Sequence, residues 1–231
     1  MDIQRIVVSI LPILIAITFH EVAHGFIANK LGDPTAKVMG RLTLNPIAHI
    51  DLIGTIIMPL ALVVLTQGQF IFGYAKPVPI NPMNFKNPKK DMAISAAAGP
   101  VMNLIIAALS LIISEIIARA AVPSASGDIS VMEPLRQMFE MSFEINVILA
   151  AINLLPIPPL DGGRILVGIL PHEQAVSYSR IEPFGFIIVI ILYMTGIVSY
   201  FIIPLIHIIK LLIALFAGLL LAPFLELFKL F

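Results

Sequence analysis

Two histidines four residues apart, His20 and His24, stand with a glutamate, Glu21, in the segment His20-Glu21-Val22-Ala23-His24. On an α-helix, residues i and i+4 share a face, so both imidazoles can present a nitrogen to one cation. Glu21 lies beside them and can take a proton from a water held there. Two nitrogen donors and a carboxylate base within one and a half turns are the parts that metal-assisted hydrolysis needs. The segment closes a long apolar run, Ile6 to Phe19, that reads as a membrane-crossing helix. The bland alternative is a pair of histidines capping a helix at the membrane surface. Ionisable groups at membrane depth are costly to keep, which favours the chemical reading.

A catalytic zinc takes three protein donors plus water. Asp161 is the leading third candidate, in Asn153-Leu154-Leu155-Pro156-Ile157-Pro158-Pro159-Leu160-Asp161-Gly162-Gly163-Arg164. The prolines forbid a regular helix there. Unwound backbone at membrane depth survives only inside protein or along a wet cavity. Zn²⁺, one carboxylate and one hydroxide sum to zero charge with both histidines neutral, and a neutral cluster is far cheaper to bury than a bare dication. Taken alone, Asp161 reads equally well as an Asp-Gly turn at a helix end. His49 and Asp51 are competing ligands on the loop Asn45–Asp51. Local hydrogen bonding in an ordered turn is their simpler role, and His49 stays open as a residue that orients a ligand.

These residues sit in a chain built for lipid. Of its 231 residues, 59% are hydrophobic and 12% charged, and the mean hydropathy is +1.02. A soluble domain could not hide that surface. Net charge is zero, so no basic surface argues for nucleic acid, and the absence of cysteine excludes a thiolate metal site. The first apolar segment has no small-residue cleavage site and carries the histidine motif at its end, so it is expected to be retained. A span needs about 20 apolar residues. Ile3–Phe26, Met92–Ala118, Glu182–Phe201 and Ile203–Phe228 qualify; Phe143–Leu155 and Leu52–Leu65 are short. A turn is expected between Gly196 and Pro204, where Pro204 would break a helix.

Positive charges set the orientation. With the amino terminus outside and Leu52–Leu65 dipping in and returning, Lys30, Lys37, Arg41, Lys76, Lys86, Lys89, Lys90, Arg164, Arg180 and Lys229 fall inside. Arg5, Arg119 and Arg136 fall outside. A full crossing by Leu52–Leu65 would separate the 30–41 and 76–90 clusters. The longest polar loop, Arg119–Arg136, is too small for a soluble domain.

Residues 40–45 and 73–81 alternate as short strands would. Pro77 and Pro79 silence one edge of the second, leaving donors on the other. The expected roles are a protected edge or a template for an extended substrate. Ala98-Gly99-Pro100-Val101-Met102-Asn103 allows close helix packing, and Asn103 can hydrogen-bond across helices.

The histidine motif in a membrane helix, the Gly99-Pro100…Asn103 segment and the Asn153…Pro156…Asp161-Gly162 segment, in that order, resemble the site-2 protease family of intramembrane zinc metalloproteases. The resemblance covers most of residues 5–170 and is to the compact branch without PDZ or CBS domains. It implies one Zn²⁺ per chain held by His20, His24 and Asp161, with Glu21 as catalytic base. It also implies that Asn153 lies near the active centre, orienting substrate or stabilising the oxyanion; Asn103 is a second candidate for that role. His49 is kept as a residue supporting a ligand.

The expected fold is an all-α polytopic membrane protein of about five to six transmembrane or re-entrant helices, with a small β element near the active site. Residues 1–182 form the catalytic core and 183–231 a C-terminal helical hairpin. The expected protein is a multi-pass cell-membrane protease that cleaves transmembrane protein substrates in the lipid bilayer and has no nucleic-acid partner. The alternatives are a membrane metal-binding or transport protein and an inactive scaffold. A transporter usually shows paired discontinuous helices in related halves, and none is evident.

Overall fold

The computed structural model describes residues 3–67, 73–120 and 132–228. Nine α-helices occur among them: α1 (Ile3–Lys30), α2 (Thr35–Val38), α3 (Met58–Leu65), α4 (Pro88–Ala120), α5 (Met132–Asn153), α6 (Asp161–Ile169), α7 (His172–Ser179), α8 (Glu182–Met194) and α9 (Ile197–Phe228). Among the described residues, three stretches are long and apolar enough to cross a membrane: Val8–Lys30, Pro88–Arg119 and Ile197–Ala222. The α7–α8 pair, bent by 47°, makes a fourth if it counts as one broken span. The molecule is an all-α membrane protein whose outward residues, such as Ile10, Leu109, Leu212 and Leu215, are apolar and exposed.

α4 is the central helix and packs against α1, α5, α6 and α9. Pro88 opens it, where a missing N–H costs nothing, and Asp91 reaches back to accept from the Asn87 N–H at 2.9 Å. The buried interfaces use small residues, Ala16, Ala96, Ala107, Ala150 and Ala151. In lipid, helices associate by close packing rather than by escape from water, and small side chains allow the approach. α9 joins through a cluster of Ala107, Val147, Ala151, Ile209 and Ile213. Beside it the Lys210 ammonium sits 2.7 and 2.6 Å from the two Glu144 carboxylate oxygens. This partner neutralises a charge on a largely apolar helix.

Several expectations change. The short segment Phe143–Leu155 is, up to Asn153, the second half of the 22-residue α5, which begins at Met132. Its first half carries Glu133, Arg136 and Glu140, whose charges hide a helix from a hydropathy reading. The break before the last helix falls at Gly196, whose φ of +75° suits glycine, while Pro204 lies inside α9. The loop Arg119–Arg136 lies largely, and Lys229 wholly, outside the described residues.

The small β element does not form among the described residues. Pro77 and Pro79 cannot donate, and neighbouring donors are taken by other groups. Tyr74 N–H bonds the Gly54 carbonyl at 3.0 Å and Lys76 N–H the His49 carbonyl at 2.9 Å. Val78 N–H bonds the Glu21 carboxylate at 2.9 Å. No ladder with residues 40–45 forms among the described residues.

These same bonds show how Leu52–Leu65 is used. It is a π-helical turn, Leu52–Ile57, running into α3, and Asp51 caps it by accepting from Ile53 and Gly54 N–H. Tyr74 and Lys76 stand beside Gly54 and His49, at the start of this segment. The hairpin ends where it began. Arg41 bonds the Lys76 carbonyl at 3.0 Å, and Asp33 accepts from Asn81 N–H and the Asn84 amide at 2.7 Å each. Burial alone would raise the Asp33 pKa, but hydrogen bonds from Thr35, Asn84 and Asn81 outweigh it and hold the carboxyl below its usual value. The 30–41 and 76–90 basic clusters therefore lie at one end of the bundle.

Candidate metal centre

His20 and His24 project from α1 toward α4, and Asp161 meets them from the first residue of α6. The segment between α5 and α6 turns through Leu154–Leu160, where the Pro158–Pro159 peptide is cis. Tyr178 of α7 donates its hydroxyl to the Pro156 carbonyl of this turn. The result is an aspartate delivered to the middle of the bundle by a non-helical loop. All three side chains are buried, at 7–8% exposure.

Their donor atoms converge. His20 Nε2 and His24 Nε2 are 3.0 Å apart, and Asp161 Oδ2 lies 3.2 and 3.3 Å from them. The far sides of the rings decide what this means. His20 Nδ1 is 2.6 Å from Asn103 Oδ1, and His24 Nδ1 is 2.8 Å from the Ser95 carbonyl oxygen. Both partners only accept, so each Nδ1 carries its proton and Nε2 is the nitrogen of each ring left to offer a lone pair inward. Three lone-pair atoms then face one another, and Asp161 Oδ2 is buried without a hydrogen-bond partner. A single proton could bridge two of these atoms; a divalent cation would be held by all three. Tetrahedral bonds of about 2.0–2.2 Å place ligand atoms roughly 3.3–3.6 Å apart, close to the spacing found. The donor set, two imidazoles and one carboxylate, suits a borderline metal ion. These residues fit a metal.

Two glycines make room. A Cβ on Gly99 of α4 would lie 2.3 Å from His24 Nε2 and 2.6 Å from His20 Cε1, inside the donor cluster. A Cβ on Gly25 would lie 2.7 Å from both Val78 Cγ1 and Leu42 Cδ2. The loops before and after the Leu52–Leu65 hairpin thus press against α1 one residue beyond His24. That contact places the Val78 N–H on Glu21 Oε2.

The other sequence candidates are not members of the donor cluster itself. Asn103 is fully buried and faces the back of His20, bonding Ala16 O at 3.3 Å and Asn146 Oδ1 at 2.8 Å besides. Asn153 donates to the Leu149 carbonyl in its own helix at 3.0 Å. His49 is buried and bonds the Thr43 carbonyl at 2.9 Å; neither it nor Asp51, the hairpin cap, joins the donor cluster. Sequence reasoning missed Ser95, whose hydroxyl also donates to His24 O at 3.0 Å, and the partners Asn146 and Val78. A polar residue two turns before Asn153, on the same helix, was the available signal for Asn146.

The chain matches the model of Peptidase family M50 over residues 8–196. It is 36% identical over 198 residues to a Bacillus subtilis (strain 168) protein named "Putative zinc metalloprotease YwhC", covering 86% of this chain and 85% of that one. It is 27% identical over 186 residues to "Putative zinc metalloprotease Rip2" of Mycolicibacterium smegmatis (strain ATCC 700084 / mc(2)155), covering 79% of this chain and 64% of that one. No solved structure matches it. The chain belongs to Peptidase family M50, the site-2 protease family of metallopeptidases.

Proposed function

We propose that this chain is an intramembrane zinc metalloprotease that hydrolyses peptide bonds of transmembrane protein substrates within or near the bilayer, as a step in regulated proteolysis. It works as a multi-pass protein of the cell membrane, with its amino terminus outside and the 30–41 and 76–90 loops in the cytoplasm. Residues 1–182 carry the chemistry, and 183–231 form a helical hairpin against it. The observation that carries this reading is the buried convergence of His20 Nε2, His24 Nε2 and the unpartnered Asp161 Oδ2 within 3.3 Å. The names of both relatives support zinc as the ion, one per chain.

His20, His24 and Asp161 hold the ion. When bound, zinc polarises the scissile carbonyl and lowers the pKa of water to about 7. Glu21 accepts the proton of the attacking water and returns it to the leaving amine. The Val78 N–H fixes one oxygen of that carboxylate and leaves the other for the proton. The Nδ1–H bonds to Asn103 and Ser95 hold both rings in register. A substrate helix hides its carbonyls in its own hydrogen bonds, so segments weakened by Gly, Pro or Asn are cut in preference.

The test is metal analysis of purified protein together with cleavage of a transmembrane test substrate, before and after chelation. The expected result is about one zinc per chain, with cleavage lost on chelation and restored by zinc. Full cleavage by metal-free protein would overturn the proposal.

A further inference from the structure

A line of buried amides and hydroxyls runs away from the metal centre between α4 and α5. Asn103 and Asn146 are both 0% exposed, near the apolar cluster of Ala107, Val147 and Ala151. The hydrogen bonds have a direction. Asn146 Nδ2 donates to the Ser142 backbone carbonyl at 2.8 Å, one turn back in α5. A carbonyl only accepts, so the amide of Asn146 has one orientation, with Oδ1 turned to α4. There it accepts from Asn103 Nδ2 at 2.8 Å. Asn103 is thereby oriented in turn, with its Oδ1 toward His20 Nδ1. An oxygen at that place demands a proton on Nδ1 and leaves Nε2 bare.

We propose that Asn146 is a positioning residue for the metal centre: through Asn103 it selects the His20 tautomer whose Nε2 can bind the ion. An asparagine alone could meet His20 with either end of its amide. Turned round, Asn103 would offer an N–H to Nδ1, draw the proton to Nε2 and block the donor. The Ala16 carbonyl also accepts from Asn103 Nδ2, but at 3.3 Å it is the weaker acceptor. The fixed end of the relay is a helix backbone, which cannot turn. Partners behind a metal-bound histidine are generally worth about 10- to 100-fold in metal affinity; with Ala16 as a partial substitute, Asn146 sits at the low end.

This inference rests on the reading of His20 Nε2 as a zinc donor. The test is a double-mutant cycle in zinc affinity, measured by chelator competition on the full chain in detergent. Asn146→Leu is expected to weaken zinc about tenfold. Asn103→Asp places a carboxylate behind His20, and both of its oxygens accept, so no orientation is needed. In that background Asn146→Leu should cause no further loss, and an equal loss in both backgrounds would reduce Asn146 to packing. Ser114→Ala removes a buried hydroxyl of α4 that bonds the Leu111 carbonyl at 2.9 Å, away from the relay, and it should leave affinity unchanged. ¹⁵N NMR of histidine-labelled, metal-free protein reads the tautomer directly: Nδ1–H at His20 in the wild type and a mixture in Asn146→Leu. An unchanged Nδ1–H signal in that variant would overturn the relay. A wild type that binds no zinc would instead overturn the metal reading beneath it.

Discussion

The backbone N–H of Val78 donates to Glu21 Oε2 at 2.9 Å, joining the proposed base to a loop 57 residues away. The bond uses the donor that the sequence had suggested for pairing with substrate. Val78→Pro deletes it, whereas Val78→Ala trims the packing on Gly25 and keeps the N–H. A hydrogen bond to a charged group contributes about 1.5–3 kcal/mol, and each 1.36 kcal/mol is tenfold in rate. Cleavage by Val78→Pro is expected to fall about tenfold or more below that of Val78→Ala, with equal zinc content. Equal cleavage by the two would show that Glu21 needs no help from this loop.

Asp161 and His49 separate the ligand role from the loop role. Asp161 Oδ2 has no donor and faces both imidazoles. His49 is committed to the Thr43 carbonyl. Asp161→Ala should empty the site of zinc, because it removes both a donor and the compensating charge, while His49→Ala should keep zinc and lower stability. Zinc content ranked the other way would transfer the ligand role to His49.

Gly99 tests the space rather than the donors. A methyl group there would fall 2.3 Å from His24 Nε2, and the backbone of a packed transmembrane helix cannot withdraw by the ångström or more required. Gly99→Ala is expected to reduce zinc content as severely as loss of a ligand, although no donor is touched. Normal zinc binding by this variant would mean that α4 stands farther from α1 in the folded protein.

The sequence spoke clearly where chemistry and period coincide. His20 and His24 are four apart on a helix, and Asp161 follows a proline run that no helix tolerates, so Asp161 was the leading third candidate, and the family resemblance favoured it over a plain Asp-Gly turn. The fold class was equally plain in the apolar runs. The Gly40–Asn45 and Gly73–Asn81 segments misled because alternation reports which way side chains point, not where N–H groups go. Those of Lys76 and Val78 go to His49 and Glu21, contacts set by tertiary packing on Gly25. Asn103 had been weighed as helix glue and as a substrate contact. Its place behind His20 depends on the facing of two amides, which spacing does not encode. α5 was underestimated because Glu133, Arg136 and Glu140 pair with one another on its surface.

The contacts of Asp33 with Asn81 and Asn84, and of Arg41 with Lys76, put both basic loops at one end of the bundle. The chain has no cysteine, so Lys30→Cys and Asn87→Cys, each made singly, report sidedness cleanly. Both are expected to resist an impermeant thiol reagent in intact cells and to react after permeabilisation. Labelling of one alone in intact cells would mean that Leu52–Leu65 crosses the bilayer.

The proposed mechanism divides the labour on one helix: His20 and His24 would hold the ion, and Glu21 would move the proton. Glu21→Gln keeps the size of the side chain and an oxygen for the Val78 N–H, and it removes only the proton acceptor. The direct measurement is zinc content and cleavage of a transmembrane substrate on the same preparation of this variant. Zinc at the wild-type level with cleavage reduced at least 100-fold, the lower scale of general-base catalysis at about 10²–10⁴, is the predicted result. Cleavage near the wild-type rate by folded, zinc-loaded Glu21→Gln would contradict it.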